Sequence, residues 1–169
     1  NQPISWKVYV QNYLNAGGNV NVPDFTSANQ PPFTNYYARH NAAVWYEEIL
    51  SNTLGSQGNI VDFEQFGIDL ANGTLPRFAI IVPDGCWDMH DECSSLANGD
   101  DFLNSNLTPM LNSPEFQPGG SGLVIVTFDN GAGDDVGQVY TGLIGPNIKP
   151  GHVSNVAYKH ENTLRTMLD

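Results

Sequence analysis

The sequence predicts an α/β fold: a layered, largely parallel sheet with flanking helices. Three observations point there. Apolar runs of strand length, Phe78 to Val82 and Gly122 to Phe128, alternate with stretches of helical spacing. Both runs end in loops that carry Asp and Gly, as expected where strands of an open sheet deliver ligand-binding loops. The chain has 169 residues, enough to bury one sizeable core. Residues 1–169 are therefore expected to form a single α/β unit.

The elements follow in order. Ile4, Trp6, Val8 and Val10 alternate within residues 1–14, as in a strand. Residues 15–35, rich in Asn, Gly and Pro, read as a surface loop. Tyr36 to Asn52 is expected to be one helix, with Ala42, Trp45, Tyr46, Ile49 and Leu50 as its buried stripe. Thr34 or Asn35 would cap its start and Gly55 would end it. Phe63 to Ala71 reads as a short helical segment stopped by Gly73. A buried strand then runs to Val82 and ends at Pro83. A polar helix is expected from about Gly99 to Leu111, followed by a Pro/Gly-rich link over residues 113–120. The β-branched run ending at Phe128 predicts a strand buried on both faces, as in a parallel sheet. Val136 to Ile144 reads as a further strand closed by Gly145-Pro146, and the chain is expected to be helical after His160.

Charge narrows the partners. Six basic residues face eighteen acidic ones, a formal net charge of -12. Such a surface repels nucleic acid and anionic membranes. The hydrophobic content of 40% and mean hydropathy of -0.28 are those of a globular protein, and the longest apolar stretch is too short to span a bilayer. Two features predict an extracellular protein. Cys86 and Cys93, seven residues apart, would close a small disulfide loop, and Asn72-Gly73-Thr74 and Asn106-Leu107-Thr108 are N-glycosylation acceptor sequences at Asn72 and Asn106. With no leader sequence, a secreted form would be a mature or trimmed one.

The candidate chemistry lies in two strand-end loops. After Val82 come Asp84, Asp88, His90 and Asp91; after Phe128 come Asp129, Asn130, Asp134 and Asp135. Parallel strands would bring the two loops to one sheet edge. His160 opens a later helix and His40 lies near the start of an earlier one, so both could reach that edge. Carboxylates, an amide and imidazoles suit Mg, Mn, Fe or Zn. His152, in a Pro-Gly turn, is assigned no role. No Walker-type loop and no Gly-x-Ser-x-Gly nucleophile turn is present.

At these residues the sequence resembles the acid phosphatase and phospholipase C phosphoesterases of the alkaline-phosphatase-like superfamily. Four stretches carry the resemblance. Ser5-Trp6-Lys7-Val8-Tyr9 looks like the family's tryptophan-containing strand, and Tyr36-Tyr37-Ala38-Arg39-His40-Asn41 is similar to its Tyr-Ala-Arg-x-His-Asn-Pro segment. The third runs from Gly73-Thr74-Leu75-Pro76-Arg77-Phe78 through Val82-Pro83 to Asp88-Met89-His90-Asp91. The fourth runs from Val124 to Asp129, through Gly145-Pro146 and Lys149-Pro150-Gly151, to Tyr158-Lys159-His160 and Leu164-Arg165-Thr166. Their order and spacing match the family across nearly the whole chain.

The resemblance implies an incomplete alkaline-phosphatase-like fold and metal-assisted hydrolysis of phosphomonoesters, with phospholipase C-type activity or a non-catalytic secreted binding protein as alternatives. It assigns Asp129 and Asn130, with Asp88, to a divalent metal ion. It makes His90 and His40 catalytic residues at the phosphate, and gives His160 a substrate-binding role. Two departures stand out. The family usually has Asp-Glu where this chain has Asp129-Asn130, and a neutral amide weakens a cation's hold. The family's first metal ligands and its Ser or Thr nucleophile precede the segment matching Ser5-Trp6. The chain is accordingly expected to be the C-terminal portion of a larger enzyme or a trimmed relative, with the N-terminal portion as partner, and inactive alone.

Overall fold

The computed structural model describes residues 4–13, 36–50, 57–90, 93–131 and 137–168. They belong to two compact units, Asn1–Ser113 and Pro114–Asp169. The fold is α/β, as expected.

In the first unit a three-stranded sheet has the order β2-β1-β3, with β1 at Trp6–Val10, β2 at Ile60–Asp62 and β3 at Phe78–Val82. All pairings are parallel; Val8 stands opposite Ile60 on one side and Ile80 on the other. Parallel neighbours need a crossover. The helix α2, Glu64–Asn72, supplies it between β2 and β3 and lies across β1. Gly73 ends α2 with φ +65, a conformation glycine adopts without steric cost, and its N–H reaches back to Leu70 and Asp69.

The alternation seen in β1 sorts its side chains. Val8 and Val10 join Tyr13, Tyr36, Ala38, Ala43, Val44, Ile60 and Val82 in the core. On the opposite face Tyr9 meets Phe66 of α2 edge-on at 5.4 Å. Lys7 and Tyr9 both donate to the Asp69 carboxylate, the latter at 2.6 Å, and Gln65 and Thr74 add bonds of 3.0 and 3.2 Å. A buried carboxylate is tolerated only when so satisfied. Burial pushes its pKa up, but the bonds from Lys7, Tyr9 and Gln65 and the charge of Lys7 outweigh it and hold Asp69 at about 2. This cluster fastens α2 to β1.

The expected helix from Tyr36 is a series of tighter pieces: 3-10 turns at Ala38–His40 and Ala42–Trp45, then α1 at Glu47–Leu50. Asn41 (φ -102, ψ 88) and Tyr46 (φ -99, ψ 117) break the helical path. The sequence here is rich in aromatic and β-branched residues, which lose side-chain freedom in an α-helix. Three-residue turns also re-phase the buried face. Ala38, Ala43 and Val44 go inward, while Trp45 is 40% and Tyr46 59% exposed, so the expected stripe is corrected; of its members Ile49 packs on the core. The expected caps, Gly55 and the loop over 15–35 lie outside the described residues.

The helix α3 begins at Leu96, one turn earlier than expected, and runs to Leu111. Ser95 caps it by accepting from the Asn98 N–H at 3.1 Å. β3 is less covered than expected: Ala79 and Ile80 are exposed. In the second unit β4, Val124–Thr127, pairs with β5, Thr141–Ile144, and the pairing is antiparallel. The expectation of a parallel, doubly buried strand is thus corrected for β4: its residues are half-buried or exposed, and Leu123 and Leu143 are exposed. Thr127 and Thr141 bond across the pair at 2.9 Å. The helix α4, His160–Leu168, begins where the sequence predicts.

Candidate functional site

The loop from Pro83 leaves the carboxyl end of a parallel strand, where ligand-binding loops of α/β sheets arise. Its root is fixed by polar bonds. The Asp84 N–H donates to Gln11 Oε1 at 3.1 Å, Asn12 Nδ2 donates to the Asp84 carboxylate, and the Cys86 N–H donates to Asp84 Oδ1 at 2.9 Å. Asp84 is only 4% exposed, and burial raises its pKa against the pull of the Cys86 and Asn12 bonds. Asp84, which the sequence grouped with the candidate ligands, therefore ties the carboxyl ends of β1 and β3 together.

Farther out, the loop meets the Tyr36–Trp45 segment. His40, Asp88 and His90 each offer a ligand atom, and these atoms all lie within 4.8 Å of one another. His40 Nδ1 stands 3.6 Å from Asp88 Oδ2. Asp88 Oδ1 accepts the His90 backbone N–H at 2.8 Å, which ties the carboxylate to its own loop. The imidazoles face each other edge-on, centroids 6.5 Å apart. His90 is exposed, while His40 and Asp88 are half-buried, so the group opens to solvent on the His90 side. The Tyr37 ring packs on His40 at 5.3 Å, with the Arg39 guanidinium 3.9 Å over its centroid. Trp45 Nε1 donates to the Ala38 carbonyl at 3.2 Å, locking the turn that carries His40.

Two imidazole nitrogens and a carboxylate oxygen make a donor set suited to Zn, Mn or Fe, with room for further ligands. The same groups can bind an anion when the imidazoles are protonated.

The other predicted residues fall as follows. Cys86 and Cys93 are bonded as expected, Cα atoms 4.7 Å apart, and bracket the loop. In the second unit the His160 ring lies 2.9 Å (Nε2) from the Asp129 carbonyl oxygen, so these two candidates do meet. Asp129 and Asn130 are exposed just beyond β4. The structure thus gathers the candidates into two groups: His40, Asp88 and His90 in one unit, Asp129 and His160 in the other. Asp91, Asp134 and Asp135 lie outside the described residues. Asn72 is exposed at the end of α2, whereas Asn106 sits within α3 and its Nδ2 donates to the Phe102 carbonyl at 2.7 Å. No helix among the described residues is long and apolar enough to cross a membrane.

Sequence reasoning missed Asn98, whose side chain donates to the carbonyls of both cysteines. The signal was available: Ser95 three residues before Asn98 has the spacing of a helix N-cap.

The chain is similar in sequence to known phosphatases. The chain is 29% identical over 169 residues to an acid phosphatase of Aspergillus fumigatus, covering 97% of this chain and 36% of that protein. It is 28% identical over 171 residues to a probable acid phosphatase of Kluyveromyces lactis, covering 97% of this chain and 38% of that protein. A phosphatidylinositol-3-phosphatase of Mycobacterium tuberculosis is 32% identical over 93 residues, 55% of this chain. The chain spans little more than a third of the length of the two fungal relatives. The model of the Phosphoesterase family matches residues 1–169, and the chain belongs to that family.

Proposed function

We propose that this chain forms one wall of the active site of a secreted, metal-assisted acid phosphatase that hydrolyses small phosphomonoesters. The observation that carries it is the convergence of His40, Asp88 and His90 at the carboxyl end of the parallel sheet. The similarity to acid phosphatases supports the reaction class. Asp88 would supply an oxygen ligand to a divalent cation, and Asp129 and Asn130, in the second unit, are likewise proposed as metal ligands. That ion would neutralise phosphoryl charge and lower the pKa of the attacking hydroxyl. His40 and His90 hold phosphate oxygens, and one imidazolium gives its proton to the leaving oxygen at acidic pH. Asp88 fixes the orientation of His40 across 3.6 Å. His160, beside Asp129, is the proposed substrate-binding residue of the second unit. The proposal assigns the Ser or Thr nucleophile to the part of the relatives' length that this chain does not span. The disulfide and the exposed acceptor at Asn72 support a secreted glycoprotein.

The test is hydrolysis of a chromogenic phosphomonoester by the full-length protein at acidic pH, before and after chelation. Turnover should fall on chelation and return with a divalent metal. Phosphodiester substrates should be cleaved slowly or not at all. Turnover indifferent to chelator would remove the metal from the account, and a preference for diesters would make it a phospholipase C-type enzyme.

A further inference from the structure

Asp88 and His90 sit on a loop that the first turn of α3 grips at two places. Asn98 Nδ2 donates to the Cys86 carbonyl at 3.0 Å and to the Cys93 carbonyl at 3.2 Å. One amide group therefore bridges both ends of the loop that the disulfide closes. The second grip is at Met89, between the two candidate ligands. Met89 has φ +64, a left-handed conformation that a side-chain-bearing residue adopts only when its surroundings require it. Its side chain fills the space above Gly99: a Cβ placed at Gly99 would stand 2.8 Å from Met89 Sδ, and closer still to Cγ and Cε. A buried glycine in the first turn of a helix that otherwise would favour alanine is explained by that side chain.

We propose that Asn98 and Gly99 are positioning residues for Asp88 and His90, and set the distance of those two groups from His40. The inference rests on His40, Asp88 and His90 being the binding group of the proposed function. It makes α3 part of the site, although no α3 side chain belongs to the three-ligand group. Asn98 supplies donors that hold the loop ends, and Gly99 supplies the vacancy into which Met89 turns, so that its neighbours on either side face His40.

The test compares the full-length protein with its Asn98→Asp and Gly99→Ala variants. Neither substitution should weaken α3 itself. A carboxylate in the first turn is favourable to a helix, and alanine is a better helix former than glycine. Far-ultraviolet circular dichroism should therefore show the parent's helix content in both variants. Two readouts would move. The nuclear Overhauser contact between the His40 and His90 rings should weaken or vanish. Affinity for tungstate, a phosphate analogue, measured by calorimetry, should drop about tenfold, as expected when the groups lining an anion are displaced. Variants that keep both the ring contact and the parent's tungstate affinity would overturn the proposal. If the parent binds no tungstate, the phosphate-binding reading fails, and the ring contact alone decides whether Asn98 and Gly99 position the loop.

Discussion

The two units treat similar strands differently. β1 is enclosed on both faces, by the Tyr36–Ile49 segment on one side and by α2 on the other, and Tyr9 is 0% exposed. β4 has a more apolar sequence, Val-Ile-Val-Thr, yet none of the described residues from Pro114 onward is buried. The difference shows that an apolar run reports a strand's need for cover and not who supplies it. In the first unit the cover is close in sequence. In the second, the unit's described residues do not provide it. The candidate site residues follow the same division: one group stands on a packed sheet edge, the other on an open hairpin.

The largest effects should separate those two groups. His90→Ala, in the full-length protein, should lower kcat by about a hundredfold or more, the usual cost of removing a positioned acid or base. His160→Ala should act mainly on KM, with kcat within about tenfold of the parent. Steady-state kinetics on one phosphomonoester checks both. A larger kcat loss at His160 would reverse the ranking.

Hydrogen exchange should sharpen the contrast in packing. Backbone amides of β1 and β3 should exchange about tenfold or more slowly than those of β4 and β5, since burial governs opening. Equal protection in the intact protein would mean that β4 finds cover there which its own unit does not provide.

Asp69→Asn should destabilise the first unit by about 2 kcal/mol near pH 5, because Lys7 then loses its partner. The folded pKa is depressed, from 3.8 to about 2. Its stabilisation is therefore full above pH 4 and is lost as pH falls toward 2. Melting curves of parent and variant should converge at the low end of that range. A gap that stays constant down to pH 2 would show that the ion pair contributes nothing. The smallest effect is expected at the hairpin. Thr127→Val removes the bond to Thr141, which is exposed, and should cost about 0.5 kcal/mol.

Much of the first unit was legible because its signals are local. The alternation in β1, the Gly73 stop and the Pro83 strand end are each set by residues within a few positions. The Tyr36–Leu50 segment was not, since apolar spacing in aromatic-rich sequence fits an α-helix and a run of 3-10 turns alike. The pairing of β4 was illegible for another reason: a short β-branched run does not encode the direction of its neighbour. In the site, Asp88 and His90 were found by loop composition. Their meeting with His40, 48 residues before Asp88 in the chain, rests on the core packing of Ala38 and Val44. The tie that Asp84 makes to the end of β1 was illegible because its Gln11 and Asn12 partners are 73 and 72 residues away.

The central claim is that the imidazoles of His40 and His90 line the phosphate. It is tested most directly by anomalous diffraction from crystals of the full-length protein soaked with tungstate, a phosphate analogue. The account predicts a tungsten peak within hydrogen-bond reach of both imidazoles, with Asp88 at its edge. Tungstate bound elsewhere in an active enzyme, with His40 and His90 untouched, would contradict it.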